Sequence, residues 1–416
     1  MSAENIQSPS SLTTQILNQP PSCLEFCPDS PDYFIIGTYL LHEDKDDESA
    51  IKQTKTGSLQ LWHLDAANHE PKQKQLLSLP YAVFDLHFHP RRPTVLGIAG
   101  SDGSVSLYRV SRENENQDPQ IRLIWARKVH EEEHIPALFL AWTPRDWFQH
   151  SAMKGSVGGG EGFAVTFSDG RTSVFATSSR DKDITEGDGS DLLESNFQPR
   201  ESIEAWFVAL ADYIQPNSGD SVAYSFTGND FGSLNVRQFR SAQDQDDGLT
   251  EDVLLEELQV ANTDDRARHH AAGVTSILPL PIPMLQNAPV LLTGSYDEYL
   301  RVYHATVRGA VLAEELLGGG VWRLQIIHTE DSESGVSFFV LASCMHAGAR
   351  IVRVSWKRGS LEELGEWDIQ VLAQFTEHES MNYASGVWKT SADSSELVCV
   401  SSSFYDKRLC LWKVQV

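Results

Sequence analysis

The chain has 416 residues, of which 41% are hydrophobic, so its apolar surface is sufficient for a large core. No uninterrupted apolar run approaches the roughly 18 residues that a membrane span needs, so no span is expected. A formal net charge of −25, from 33 Lys and Arg against 58 Asp and Glu, argues against binding nucleic acid through phosphates, which calls for clustered basic residues.

The start, Met1-Ser-Ala-Glu-Asn-Ile, has neither the basic residues nor the apolar stretch of a secretory signal, which predicts a cytoplasmic or nuclear protein. Cys23, Cys27, Cys344, Cys399 and Cys410 are too few and too scattered for a disulfide framework. With no CxxC spacing, buried reduced thiols are expected, and no metal. Acidic runs at Glu43 to Glu48, Asp181 to Asp191, Asp244 to Asp252 and Glu330 to Glu333 read as solvated loops.

In chain order, a β-branched and aromatic strand recurs behind a Gly, Ser or Asp turn. The copies are Gly57-Ser-Leu-Gln-Leu-Trp62, Gly103-Ser-Val-Ser-Leu-Tyr108, Gly170-Arg-Thr-Ser-Val-Phe175, Gly232-Ser-Leu-Asn-Val-Arg237, Asp297-Glu-Tyr-Leu-Arg-Val-Tyr303, Gly348-Ala-Arg-Ile-Val-Arg353 and Tyr405-Asp-Lys-Arg-Leu-Cys-Leu-Trp412. They are read as the third strands of seven four-stranded blades, which predicts an all-β fold, a single seven-bladed WD-repeat β-propeller. Residues 1–20 supply the closing outer strand, Thr13 to Leu17. Residues 21–416 form the propeller, with acidic or Gly-rich loop insertions near 42–56, 150–162, 178–195 and 241–252. Ser195 to Leu210 leaves strand and helix both open.

In such a fold the loops before strand one and between strands two and three gather at one mouth of the channel. His130, His134, His269, His270 and His378 fall in the first kind, and Asp102, Asp169, Asp230, Asp297, His346 and Asp406 in the second. WD repeats commonly join a His, an Asp, a strand-two Ser or Thr and a strand-three Trp in one buried polar network. His270 with Ser295, Asp297 and Tyr303 fits that pattern. His346 does not, because it stands where a turn Asp is expected. His378 is a blade-start histidine with Glu377 and Ser380 beside it, an orienting carboxylate and a hydroxyl nucleophile. GxSxG, P-loop, dinucleotide and HExxH motifs are missing, and no cofactor is implied.

Glu204-Ala-Trp206, Tyr224-Ser-Phe-Thr-Gly228 with Asp230, His270-Ala-Ala-Gly-Val-Thr-Ser-Ile277, Thr293-Gly-Ser-Tyr-Asp-Glu298, Gly319-Gly-Val-Trp-Arg323, Met345-His-Ala-Gly348 and Glu377-His-Glu-Ser-Met-Asn-Tyr383 form an ordered set. The set resembles the diphthine methyl ester hydrolases, WD-repeat proteins of diphthamide synthesis. The resemblance implies hydrolysis of the methyl ester of methylated diphthine on translation elongation factor 2, giving diphthine and methanol. The partner it implies is therefore that elongation factor, and a monomer is the default. It also implies a site for a trimethylammonium group, with Trp206, Trp322 and Tyr383 facing the cation, Glu204 and Asp230 adding charge, and His270 nearby. Either His346 or His378 acts as general base toward water, with Gly318 to Gly320 receiving the oxyanion, or Ser380 is a nucleophile activated by His378. The competing reading is a non-enzymatic WD-repeat scaffold in complex assembly or vesicle trafficking, since propellers are most often binding platforms.

Overall fold

Second strands such as Tyr33–Thr38, Gly162–Phe167 and Val290–Ser295 are buried along their whole length, which is why they read as continuous apolar runs. Outer strands such as Leu193–Phe197 and Ser11–Ile16 alternate between more and less exposed positions instead. The computed structural model describes residues 6–45, 51–65, 68–132, 134–150, 160–179, 181–199, 201–239, 262–359, 363–388 and 396–416.

The fold is an all-β, seven-bladed β-propeller of antiparallel sheets. Blade one is Pro21–Phe26, Tyr33–Thr38, Ile51–Leu64 and Pro71–Leu79, and blade two Val83–His89, Arg92–Gly100, Ser104–Ser111 and Gln120–Lys128. Blade three is Ala137–Trp142, Gly162–Phe167, Thr172–Ala176 and Leu193–Phe197, and blade four Ala205–Ile214, Ser221–Asn229, Leu234–Gln238 and Thr263–Asp264. Blade five is Val274–Pro279, Val290–Ser295, Tyr299–His304 and Ala310–Leu316, and blade six Arg323–Ser332, Gly335–Ser343, Ala349–Lys357 and Glu366–Phe375. Blade seven takes Asn382–Trp388, Glu396–Ser403 and Arg408–Gln415, and its outer strand is the N-terminal Ser11–Ile16, paired antiparallel with Arg408–Gln415. Among the described residues the one α-helix is the single turn Trp147–His150.

The chain divides into two compact units. One is Met1–Leu138, Leu341–Ile351 and Leu372–Val416, and contains blades one, two and seven. The other is Phe139–Val340 and Val352–Val371, and contains blades four and five.

One expectation changes and one open choice is settled. Of the stretch near 42–56, the described residues are strand rather than loop: Leu40–Lys45 pairs antiparallel with Ile51–Thr56, where Thr54 and Thr56 suit a strand. Gln53 there donates to Glu43 at 2.8 Å. Ser195 to Leu210 is two strand segments joined by a loop, not a helix. The runs at 241–252 and, for the most part, 150–162 lie outside the described residues. All five cysteines are buried and outside disulfides.

Two backbone devices recur at one end of the blades. In blades one, two, four, five and seven the first strand carries a register shift that leaves Ser22, Phe84, Trp206, Thr275 and Tyr383 as extra residues. Such bulges re-aim a side chain out of the ladder. Ser22 and Thr275 use this freedom to donate to the next blade, at Val83 O (2.6 Å), the start of its first strand, and at Val321 O (2.5 Å), just ahead of its first strand. The second device is the residue that follows strand two. Tyr39, Ser101, Asp230, Tyr296 and Phe404 each donate a backbone N–H at 2.9 Å to a carbonyl just ahead of strand one, at Pro20, Ala82, Glu204, Gly273 and Met381. The turn that follows takes a left-handed residue before strand three, supplied by Gly103, Gly170, Gly232 and Gly348 and, in blades five and seven, by Glu298 and Lys407.

Candidate functional site

In the unit holding blades four and five, these two positions supply Trp206 and Tyr296, which form an aromatic cluster with Trp322, just ahead of strand one of blade six. The Trp206 ring lies 5.6 Å from Trp322 and 6.3 Å from Tyr296, and Tyr296 lies 6.0 Å from Trp322. All three are half-buried. Trp206 Nε1 donates to Asp230 Oδ1 at 2.6 Å, which fixes the indole and sets a carboxylate beside the rings. The Asp230 turn is held by its own N–H on Glu204 O, while the Glu204 side chain is exposed. Gly273 makes the close approach possible: a Cβ there would come within 2.8 Å of both the Tyr296 ring and Asp230 O. Arg323 lies 4.7 Å over Trp322 and 4.9 Å over Phe139, and donates to Trp322 O at 2.9 Å. Such ring faces attract cations, and the neighbouring carboxylate adds to the attraction.

Tyr296 stands in Thr293-Gly-Ser-Tyr-Asp-Glu298 and is not among the residues the sequence assigns to the cation site. Its equivalence to Asp230 at the residue after strand two was the available signal. Gly318 to Gly320 lead into Val321, whose N–H is donated to Ser295 O.

His270 is structural in its surroundings. Its Nε2 shares a 2.9 Å hydrogen bond with Thr293 Oγ1, not with the expected Ser295, which donates to Ala272 O. Thr293 and Ser295 share one face of the strand, and Ser295, at its end, is taken up by the turn, donating to Ala272 O and accepting from the Asp297 N–H. Asp297 accepts from Arg301 at 2.8 Å and from the Ala271 N–H at 2.8 Å. Burial, with Arg301 nearby, pushes the His270 pKa down to about 3.

The other predicted residues belong to the unit with blades one, two and seven. His378 Nε2 shares a 2.8 Å hydrogen bond with Ser401 Oγ, which also accepts from Trp412 Nε1 at 3.0 Å. This is a His–Ser–Trp packing network, and His378 is buried. Ser380 is not paired with His378. Its hydroxyl donates to Asp406 Oδ1 at 2.7 Å, closing a turn in which Asp406 also takes the Ser403 hydroxyl and the Glu379 N–H. Burial opposes ionisation of Asp406, but these hydrogen bonds outweigh it and hold the carboxyl below its usual range. Glu377 binds the N–H and hydroxyl of Ser11 on the closing strand rather than orienting His378.

Tyr383 is the bulge residue of blade seven and packs on Phe404 at 5.5 Å, with Phe404 6.0 Å from Tyr39 and Tyr39 5.4 Å from Phe84. The same two backbone positions thus build a second aromatic cluster. Tyr383 lies in it. His346 is exposed, on a turn tied by the Ala347 N–H to Cys344 O at 2.8 Å.

The buried histidines make stability depend on pH. Burial lowers His378 to about 4, with Arg408 contributing, while an unfolded histidine titrates near 6.5. Below pH 6.5 the unfolded chain therefore binds more protons than the folded one, so stability present above 6.5 is lost as pH falls toward 4. His270 acts in the same direction. At pH 5 each is expected to cost on the order of 2 kcal/mol. The thermal midpoint should fall between pH 7.5 and 5, and His378→Gln should flatten that dependence. A midpoint equally pH-dependent in wild type and variant would contradict this.

No family model matches the chain. It is 26% identical over 383 residues to the Schizosaccharomyces pombe protein named diphthine methyltransferase, covering 92% of this chain and 91% of that one. It is 25% identical over 377 residues to the mouse protein of the same name, covering 86% of this chain but 65% of the mouse protein's length. Over most of its length the chain is thus similar to proteins named diphthine methyltransferase. Among solved structures, the chain resembles Saccharomyces cerevisiae Sqt1, with a TM-score of 0.53 at 12% identity over 99% of this chain and 100% of that one. Chaetomium thermophilum Sqt1 bound to the N-terminus of ribosomal protein L10 has a TM-score of 0.51 at 14% identity over 92% of this chain and 82% of that one. At these identities the likeness concerns the fold alone. Among the described residues no helix is long and apolar enough to cross a membrane.

Proposed function

We propose that the protein acts in diphthamide biosynthesis by hydrolysing the methyl ester of methylated diphthine on translation elongation factor 2. Water and the ester give the carboxylate of diphthine, methanol and a proton. The observation that carries this reading is the Trp206, Tyr296 and Trp322 cluster with Asp230 bonded to the Trp206 indole, found in a homologue of proteins named for diphthine. Ring faces and a carboxylate are the partners a trimethylammonium group requires.

The candidate base is His346, which the fold leaves exposed, whereas the Nε2 atoms of His270 and His378 are held by Thr293 and Ser401. Ser380 is the second candidate, as a nucleophile released from Asp406. His346→Ala should lower ester hydrolysis by on the order of 10²-fold if it is the base.

The test is incubation of purified protein with elongation factor 2 bearing methylated diphthine, without added cofactor, followed by mass. Loss of the ester methyl group is expected. No mass change under single-turnover conditions would favour a binding platform, a reading supported by the Sqt1-like fold. Turnover only with an added methyl donor would favour the transfer reaction in the relatives' names.

A further inference from the structure

Blades five and seven fill the space behind strand two in the same way. His270 and His378, each four residues before the first strands that begin at Val274 and Asn382, bond Thr293 and Ser401. Tyr303 and Trp412 occupy the matching strand-three position, paired with Leu291 and Cys399 two residues before those hydroxyls. All of these side chains are buried.

Blade four has the same register with different residues. Glu201 lies four residues before Ala205, Thr227 takes the hydroxyl position, and Arg237, paired with Ser225, takes the aromatic position. Arg237 still donates to Thr227 Oγ1 at 3.3 Å, as Trp412 does to Ser401, and stacks 5.5 Å over Phe197. Where the other two blades are filled by a histidine and an aromatic ring, blade four has a cavity of about 620 Å³ lined by Glu201, Thr227 and Arg237 with Gln198, Asn235 and Arg266. That volume is within the range of ligand pockets.

This cavity adjoins the aromatic cluster along the chain. Ala205 and Asn229 line it, and the next residues, Trp206 and Asp230, belong to the cluster. Phe231, 65% exposed, continues the same turn and stands at its wall. Arg237 and Arg266 share the lining with Glu201 and Asp264, and guanidinium groups bind a carboxylate by paired hydrogen bonds. The side-chain amides of Gln198 and Asn235 each offer a donor and an acceptor, as a peptide backbone requires.

We propose that this vacated His–Ser–Trp network is a second recognition pocket, which takes a carboxylate-bearing polypeptide segment of the protein substrate, with Arg237 and Arg266 as its anchors. The pocket rests on the proposed function, since it places a flanking segment next to the modified side chain. Its role is affinity for the protein, not chemistry on the ester.

The test compares methylated elongation factor 2 with a small trimethylammonium methyl ester that has no flanking polypeptide. Arg237→Gln and Arg266→Gln should each raise KM for the protein on the order of 10-fold without changing kcat, leave the small ester unaffected, and be rescued in part by Arg237→Lys. Arg266 is exposed, so its variant should keep the wild-type fold and carries the test if Arg237→Gln does not fold. Unchanged KM for the protein in Arg266→Gln, or equal losses on both substrates, would overturn the pocket. If wild type hydrolyses neither substrate, the esterase reading fails and the pocket is read by calorimetric titration with the elongation factor. Affinity weakened about 10-fold in Arg266→Gln supports it, and unchanged affinity overturns it.

Discussion

Trp412→Ala is expected to destabilise the protein by about 3–5 kcal/mol, the usual cost of emptying a large buried aromatic site. Trp412 is completely buried, stacks on Phe375 at 5.1 Å with the ring planes 2° apart, and donates its indole N–H to Ser401. Its removal leaves a void on the Phe375 face and takes one partner from the hydroxyl that holds His378. The urea midpoint should drop sharply. Leu123→Ala, at an exposed strand position, should stay within about 0.5 kcal/mol of wild type. The comparison also bears on His378. If its network is structural, His378→Ala should lower the midpoint as well. Wild-type stability in both Trp412→Ala and His378→Ala would mean that the network is not holding blade seven, and would return His378 to the chemistry.

Trp206→Ala and Trp322→Ala should each weaken binding of a trimethylammonium substrate on the order of 10-fold, because a desolvated ring face contributes up to about 2 kcal/mol to holding a cation. The loss should fall mainly on KM, since the ammonium carries its charge before and after ester cleavage and is bound alike in both states. Trp206→Phe keeps an aromatic face but loses the bond to Asp230, so it should fall between wild type and alanine. Asp230→Asn should have a smaller effect than either alanine variant, because it keeps the acceptor oxygen for the indole. A KM at the wild-type value in both alanine variants would remove the cluster from the proposed site.

The third strands were legible because each ends a repeated turn, and the left-handed residue before strand three favours Gly at four of those turns. The hairpin at Leu40–Lys45 and Ile51–Thr56 was not legible, since charged residues on an exposed two-stranded ladder look the same as charged residues in a loop. At the site, Trp206, Asp230 and Trp322 were read together and are found together. Tyr296 was missed, because a motif records the order of residues but not which blade each side chain leans across. The same limit applied to Glu377, His378 and Ser380: adjacency suggested a triad, while strand pairing sends each to a different partner.

Repetition along the sequence determined the all-β propeller, since seven copies with one hydrophobic period admit one way of sharing a core. The tertiary structure decided which histidines are hydrogen-bonded inside the blades and which aromatic rings meet. That choice depends on strand register and on the bulge in strand one, which set the direction of a side chain across distances the chain order does not encode. Arg237 shows the difference. In the sequence it is a departure from an aromatic position, and in the structure it is one wall of a cavity.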